Sequence, residues 1–270
     1  MNKYVDIFVD VMNKTSELIG MNDSVWVNPS GLKCNKGYSR SSCYDLAILA
    51  STCYRKSPII RSIWSNNIRS YTMNFKDRSN NIKSDVIEST FHYDLFDNKY
   101  PILGYKTGGG DGYHVLVAIT TIHNKTVCCV VYGARTPDDR FSGMLELFDV
   151  LSSKCNDITL STNAVCIDVM TNEIIFDKGC HEYIKPMSTT KMMTLFIALK
   201  YNKDLDTEVS VISDDVIGTY RTSGHYFNVG DVVSIRDLVY AALLPSSNQA
   251  ANVLARITGM KISEGKLEQL

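Results

Sequence analysis

The sequence lacks any long apolar run. The longest ones, residues 127–132 and 238–244, are far shorter than the roughly 20 residues that a membrane-spanning helix needs. It also lacks an excess of charge of either sign, since 28 basic and 29 acidic side chains give a formal net charge of −1. These absences argue against a transmembrane segment, a polybasic membrane contact and a nucleic-acid partner.

The amino terminus has no recognisable export signal. Asp6 and Asp10 interrupt the first apolar stretch, and no small-residue cleavage site follows it. Secretory signals have an uninterrupted apolar core and such a site. The sequence therefore predicts either a cytoplasmic chain or one from which an export signal has been removed.

Metal-site spacings are also missing. Eight cysteines are present, but none form a C-x-x-C pair and no cysteine and histidine cluster has zinc spacing. Cys128 and Cys129 lie in an apolar run where neighbours point to opposite faces of a strand. We expect scattered reduced thiols rather than a disulfide framework, with no metal and no cofactor.

Apolar periodicity predicts a mixed α/β chain of one domain. Helical spacing covers residues 4–19, 43–54, 138–151, 188–199, 235–244 and 247–257, and strand patterns cover residues 113–122, 126–132, 164–170 and 173–176. There is no repeat and no Gly/Ser/Pro-rich linker. We expect a sheet-containing lobe over about 100–204 and a mainly helical lobe over about 1–60 and 205–270.

The first chemical motif is S-x-x-K, from Ser188 to Lys191. On a helix, positions i and i+3 share one face, so the lysine amine can reach the serine hydroxyl. An amine of lowered pKa can take the proton of a hydroxyl and make it a nucleophile. Alone the motif is weak, because about one S-x-x-K arises by chance in a chain of this length.

The second motif is S-x-N, from Ser246 to Asn248, between two predicted helices. Its serine could relay a proton and its amide could bind a substrate backbone. Ser and Asn are also common helix-capping residues, and for this motif taken alone capping is the better explanation.

The third motif is Lys106-Thr107-Gly108, followed by Gly109 and Gly110. An ammonium and a hydroxyl can bind a carboxylate, and glycines let the backbone approach a ligand closely. A phosphate-binding P-loop is excluded, because its lysine follows the last glycine and here the lysine precedes the glycines.

Together the three motifs form the set that characterises the serine penicillin-recognising enzymes. The flanking sequences resemble the low-molecular-weight D-alanyl-D-alanine carboxypeptidases (family S11) at residues 27–32, 44–47, 106–113, 133–141, 186–194 and 243–251. The resemblance covers nearly the whole chain. It implies the β-lactamase/DD-peptidase-like fold, an antiparallel sheet flanked by helices with a helical lobe.

The resemblance also implies catalytic roles. Ser188 would attack the penultimate D-alanine carbonyl and form an acyl-enzyme, with Lys191 as its base. Ser246 and Lys106 would pass the proton to the leaving amine. The implied partners are a peptidoglycan stem peptide ending in D-Ala-D-Ala and, as covalent inhibitors, β-lactams; peptidoglycan lies outside the membrane.

Five residues are implied in substrate binding: Asn248, Thr107, Gly108, Gly109 and Arg140. Asn248 would hold the peptide amide and Thr107 the terminal carboxylate. The backbone N–H of Gly109 would join that of the nucleophile in an oxyanion hole. Arg140 could attract the carboxylate or simply form a surface ion pair. The family more often has bulkier residues where Gly109 and Gly110 stand.

The motif order departs from the family. There S-x-x-K comes first and K-T-G last, whereas here Lys106 precedes Ser188. Joining the two chain ends restores the usual order, which predicts a circular permutation; a piece spanning two tandem copies would look the same. Chain ends in compact domains often lie close together, so such a join is physically acceptable.

Two other functions remain open from the sequence. A β-lactamase needs an efficient deacylating base, and no E-x-x-x-N segment of the class A kind lies between S-x-N and K-T-G. A penicillin-binding sensor or a non-catalytic peptidoglycan-binding module would keep the acylation motifs, but sensors usually carry transmembrane segments.

Overall fold

The computed structural model describes residues 2–65, 68–96, 99–153, 157–219 and 224–267. Within these ranges there are eight α-helices: α1 Lys3–Ile19, α2 Cys43–Lys56, α3 Pro58–Ser65, α4 Asp139–Leu151, α5 Thr190–Tyr201, α6 Ser213–Val216, α7 Ile235–Leu243 and α8 Asn248–Leu267. The nine strands of the same ranges are β1 Ser70–Lys76, β2 Ile82–Glu88, β3 Ile102–Gly110, β4 Tyr113–Ile122, β5 Lys125–Ala134, β6 Asn163–Asp168, β7 Ile174–Lys178, β8 Glu208–Ser210 and β9 Val232–Ser234.

The larger sheet has five antiparallel strands in the order β3-β4-β5-β6-β7. Its inner strands are almost continuously buried, because α2 and α4 pack on them. The predicted strands over residues 113–132 and 164–176 are confirmed. β3, which carries the K-T-G motif, was not predicted as a strand because three glycines weaken its pattern.

Helices α2 and α4 pack on this sheet, α2 against β5 and β6 and α4 against β4 and β5. Leu46, Leu49 and Cys53 of α2 and Met144 and Phe148 of α4 are fully buried there. Burying each large apolar side chain stabilises the fold by roughly 1.5–3 kcal/mol. The apolar residues whose spacing predicted both helices are therefore the residues that these helices bury.

A helical layer is built from α1, α5, α7 and α8. The Asn2 side chain accepts a hydrogen bond from the backbone N–H of Tyr4 at the start of α1, and Gly20 ends that helix with a φ of 85°. α1 lies against α8, and a Cβ atom on Gly259 would be 1.9 Å from the Tyr4 carbonyl oxygen. The glycine is thus required for the close crossing of these two helices.

A second, four-stranded sheet has the order β2-β1-β9-β8 and was not predicted. Two of its strands, β8 and β9, have three residues each and lie in the region where we expected helices. Such short strands give too few alternations for periodicity to reveal them. The helix after the S-x-N motif was predicted to end near residue 257, but α8 continues to Leu267.

Across the described residues, no helix is both long enough and apolar enough to span a bilayer.

Candidate active site

The serine of the first motif lies where a turn of 3₁₀-helix, Met187–Thr189, runs into α5. Met187 has a φ of 50°, so the chain bends sharply just before the serine. Ser188 is partly exposed, and its Oγ is 2.8 Å from Lys191 Nζ. Positions i and i+3 therefore meet as their spacing on a helical turn requires.

Lys191 is fully buried, and two oxygen atoms accept hydrogen bonds from its amine. These are the Ser30 carbonyl oxygen at 2.9 Å and Asn248 Oδ1 at 2.7 Å. Burial, and then the charge of Lys106, hold the pKa of Lys191 well below its ordinary value of 10.5. A neutral amine has two N–H donors and one lone pair. When Lys191 is neutral and these two oxygens accept from both of its N–H groups, the lone pair faces the Ser188 hydroxyl, 2.8 Å away.

The second motif forms the turn between α7 and α8, with Ser246 at a φ of 66°. The hydroxyl of Ser247 accepts the backbone N–H of Ala250 at 3.3 Å and donates to the His225 carbonyl oxygen at 2.6 Å. The capping interpretation thus describes the middle residue of the motif. Ser246 and Asn248, by contrast, each contact a buried lysine.

Lys106 lies on β3 and is also fully buried. Its Nζ donates to Ser246 Oγ and to the Thr107 carbonyl oxygen, both at 2.9 Å. Burial, and then the positive charge of Arg140, lower the pKa of Lys106 from 10.5 to about 7. The hydroxyl of Thr107 is 2.6 Å from that of Thr90, which fixes its orientation on the strand.

Two glycines let the surrounding backbone close around the serine. A Cβ on Gly31, which has a φ of 84°, would lie 1.8 Å from the Met187 carbonyl oxygen. A Cβ on Gly108 would lie 2.7 Å from Val115 Cγ1 and 3.2 Å from the backbone nitrogen of Ser188. Neither position has room for a side chain, so the loop before α2 and the strand β3 both press directly on the turn that carries Ser188.

Arg140 lies in the first turn of α4, beside β3. Its Nη1 donates to the Gly108 carbonyl oxygen at 3.4 Å, and its buried Nε has no hydrogen-bond partner among the residues that the structure describes. Burial lowers the pKa of its guanidinium to about 10. The arginine therefore borders the K-T-G strand rather than standing free on the surface.

The structure brings together most of the residues named from the sequence. Direct hydrogen bonds connect Ser188, Lys191 and Asn248 in one group and Lys106 and Ser246 in a second. Gly109 continues β3 beyond them and is exposed.

Two participants were not named from the sequence, Ser30 and Thr90. Ser30 contributes a backbone carbonyl, which any residue could supply, so its identity could not reveal the contact. Thr90 meets Thr107 only through tertiary structure.

The arrangement has the parts of a nucleophilic site that acts through two proton carriers. One buried amine faces a partly exposed hydroxyl, and a second buried amine faces a second hydroxyl beside a strand that ends in two exposed glycines. Such an assembly can form and break a covalent acyl group on the first serine. No group of three or more His, Cys, Asp or Glu side chains in the described part of the chain could hold a metal ion.

Comparison with known proteins decides the family. The model of the family described as D-alanyl-D-alanine carboxypeptidase matches residues 4–136 and 152–261, which is most of the chain. The chain belongs to this family. Membership confirms the resemblance drawn from the motifs and the predicted class of fold, a mixed α/β fold of the DD-peptidase/β-lactamase-like type.

Individual members of the family match over shorter stretches. D-alanyl-D-alanine carboxypeptidase DacF of Bacillus subtilis is 30% identical over 151 residues, which are 54% of this chain and 35% of that protein. D-alanyl-D-alanine carboxypeptidase of Streptomyces sp. strain K15 is 35% identical over 89 residues, 32% of this chain and 30% of that protein. The matched part is thus about a third of the length of each of these family members.

Two solved structures match part of the chain. A serine-to-alanine mutant of Streptomyces K15 DD-transpeptidase matches with 22% identity and a TM-score of 0.47, over 55% of each chain. A cysteine-to-asparagine mutant of the same protein matches over the same shares with a TM-score of 0.46.

Proposed function

We propose that this chain is a serine D-alanyl-D-alanine carboxypeptidase that works through an acyl-enzyme. The observation that carries the proposal is the 2.8 Å contact between the partly exposed Ser188 hydroxyl and the buried amine of Lys191. Family membership supports the same activity. The substrate is a peptidoglycan stem peptide ending in D-Ala-D-Ala, which lies outside the membrane, and β-lactams acylate the same serine.

In the proposed reaction Ser188 Oγ attacks the carbonyl carbon of the penultimate D-alanine. Its proton passes to the lone pair of Lys191 Nζ. The C–N bond to the terminal D-alanine then breaks, and the leaving amine takes a proton through Ser246 and Lys106, which are 2.9 Å apart. Water then adds to the ester carbonyl, and its proton replaces the one that passed through Ser246 and Lys106 to the amine. As the ester C–O bond breaks, Ser188 recovers its proton from Lys191.

Binding is assigned to the strand end and the S-x-N turn. The Lys106 ammonium and the Thr107 hydroxyl hold the terminal carboxylate, and Arg140, whose guanidinium borders Gly108, adds positive charge on the same side. Asn248 binds the peptide amide. The backbone N–H groups of Ser188 and Gly109 stabilise the oxyanion, a contribution for which the loss of one donor costs about 10²–10³ in rate.

We further infer that residues 1–270 act as one catalytic domain with the family order rotated. K-T-G precedes S-x-x-K along the chain, and the family match falls into two segments. The start of α1 packs on α8 at Gly259, so a short link could join these helices in the usual order. A reordered chain, residues 152–261 followed by 2–151, should fold and react with penicillin; an insoluble or inert product would contradict the rotation.

The function is tested by intact mass after incubation with benzylpenicillin, and by release of D-alanine from a pentapeptide ending in D-Ala-D-Ala. We expect a one-to-one adduct and turnover of the peptide. Ser188→Ala should abolish both, whereas Ser84→Ala, on the exposed strand β2, should change neither. An adduct that persists in Ser188→Ala would refute the nucleophile, and an adduct without D-alanine release would refute the carboxypeptidase.

A further inference from the structure

At the end of β3, close to Ser188, a ring from the neighbouring strand occupies the space that a side chain of β3 would need. Gly109 pairs with His114 across β3 and β4. A Cβ built on Gly109 would lie 2.4 Å from His114 Nδ1 and 2.9 Å from His114 Cε1. The imidazole therefore fills the volume that the first atom of a side chain at position 109 would need.

Among Gly109, Gly110 and Gly112, the close approach is confined to Gly109. A Cβ on Gly110 would meet only Met187 Sδ, at 3.4 Å, and one on Gly112 would meet nothing within 4 Å. The glycines of this turn are thus not equivalent. Only at Gly109 does a ring from the neighbouring strand replace the missing side chain.

The imidazole is held by packing rather than by hydrogen bonds. His114 Nδ1 is buried and has no hydrogen-bond partner within the described ranges. Burial, and then the positive charge of Arg140, lower the pKa of His114, and Asp139 opposes them. A neutral ring that makes no hydrogen bond through Nδ1 can shape the backbone it touches only by its volume.

We propose that His114 is a positioning residue for the oxyanion strand: its ring packs on the backbone of Gly109 and sets where the N–H of that residue points. This inference rests on the proposed acyl-transfer function, which makes Gly109 N–H an oxyanion donor. A strand end with no side chain of its own needs such support, because a glycine backbone has more conformational freedom than any other.

The test is a reciprocal pair of substitutions read by the rate constant of covalent labelling with a fluorescent penicillin. Gly109→Ala places a Cβ against the ring and should slow labelling by at least about tenfold. Complete loss of one oxyanion donor would slow it by about 10²–10³-fold. His114→Ala should slow it by only a few-fold. The double variant, in which the ring is absent, should label faster than Gly109→Ala alone. Coupling of this sign is expected only of residues in contact.

Gly108→Ala is the matched control. Its Cβ would press on Val115 and on the backbone of Ser188 rather than on His114. His114→Ala should therefore not rescue it. Rescue by itself shows only that the two side chains compete for the same space. The positioning role requires in addition that His114→Ala alone slows labelling of protein that is folded, and an unslowed His114→Ala variant would overturn it.

The possible outcomes distinguish failure of the proposed acyl-transfer function from failure of the positioning role of His114. Absence of labelling in the unaltered chain would overturn the proposed function itself. Normal labelling of that chain, with no rescue of Gly109→Ala by His114→Ala, or with equal rescue of Gly108→Ala, would overturn only the role of His114. If Gly109→Ala does not fold, recovery of folded, labelled protein in the double variant supports the inference, and failure of the double variant to fold contradicts it.

Discussion

The two lysine–serine pairs of the site differ in how the chain brings them together. Ser188 and Lys191 lie three positions apart, across the junction of a 3₁₀ turn and α5. Lys106 and Ser246 lie 140 positions apart, one on a strand and the other in a turn between two helices. The first pair is a local structure, whereas the second exists only when the sheet and the helical lobe meet.

Their surroundings differ as well, although both amines are fully buried. Lys191 Nζ has two fixed oxygen acceptors beside its serine, which suits a neutral base. Lys106 has a pKa of about 7 and lies beside Thr107 and Arg140, so it is protonated for part of the time near neutral pH. Burial thus lowers the pKa of both lysines, as the proposed reaction requires of Lys191 as a base and of Lys106 as a carboxylate ligand that also exchanges a proton.

The largest effect is expected from Lys191→Met. Removing the base should slow labelling by benzylpenicillin by about 10³-fold or more, within the range of general base catalysis. The change also removes the hydrogen bonds from Lys191 to the Ser30 carbonyl oxygen and to Asn248 Oδ1. Stopped-flow labelling of protein that is shown to be folded by circular dichroism measures this effect. A variant that labels at nearly the original rate would mean that the local pair is not the catalytic one.

Lys106→Met should have a smaller effect, a fall of about 10²-fold in labelling. Here the loss should depend on the ligand, because the proposed partner of Lys106 is a carboxylate. A β-lactam whose carboxylate is esterified should lose much less rate than benzylpenicillin itself. If the labelling rate fell equally for both compounds, Lys106 would not bind the carboxylate, and its role would be proton transfer only.

Lys106→Met also tests the burial of Lys106 through the pH dependence of the free energy of unfolding. The folded pKa of Lys106, about 7, is below its ordinary value of 10.5, so the unfolded chain binds more protons between these pH values. The free energy of unfolding should therefore rise with pH from about 7, by at most about 1.4 kcal/mol per pH unit for one lysine.

Buried cysteines limit this pH window. Burial raises the pKa of Cys43 above its ordinary value of 9.0, so the unfolded chain loses that proton first and stability falls at higher pH. Urea unfolding between pH 7 and 8.5 should show a steeper rise for the unaltered chain than for Lys106→Met. Parallel curves would contradict a lowered pKa at Lys106.

The smallest effect is expected from Thr90→Val. It removes the 2.6 Å hydrogen bond to the Thr107 hydroxyl without a large change of shape. A lost hydrogen bond of about 1 kcal/mol corresponds to about a fivefold loss of rate or affinity. The loss should appear in the binding of carboxylate ligands and not in the limiting rate of acylation, which steady-state and single-turnover kinetics separate. Thr207→Val is the control, because the Thr207 hydroxyl, next to β8, donates to Asp204 and, within the described ranges, hydrogen-bonds to no residue of the site.

Prediction from sequence succeeded where the chemistry is local or the elements are long. The helices α1, α2, α4 and α7 and the hairpin of β4 and β5 were found because their apolar spacing is the spacing of their buried faces. It failed for β3, where Gly108, Gly109 and Gly110 dilute the alternation, and for the short strands β8 and β9. The role of Ser30 was not visible, since a carbonyl oxygen belongs to every residue.

The sequence by itself determined the family, the three motifs and the local meeting of Ser188 with Lys191, because each is fixed by residue types at short spacing. Tertiary structure alone decided that Lys106 and Lys191 are buried near one another, with lowered pKa values, and that Ser247 is the cap while Ser246 faces an amine. It also decided that His114 occupies the space beside Gly109. These features depend on which surfaces meet and exclude water, and no short stretch of sequence specifies that.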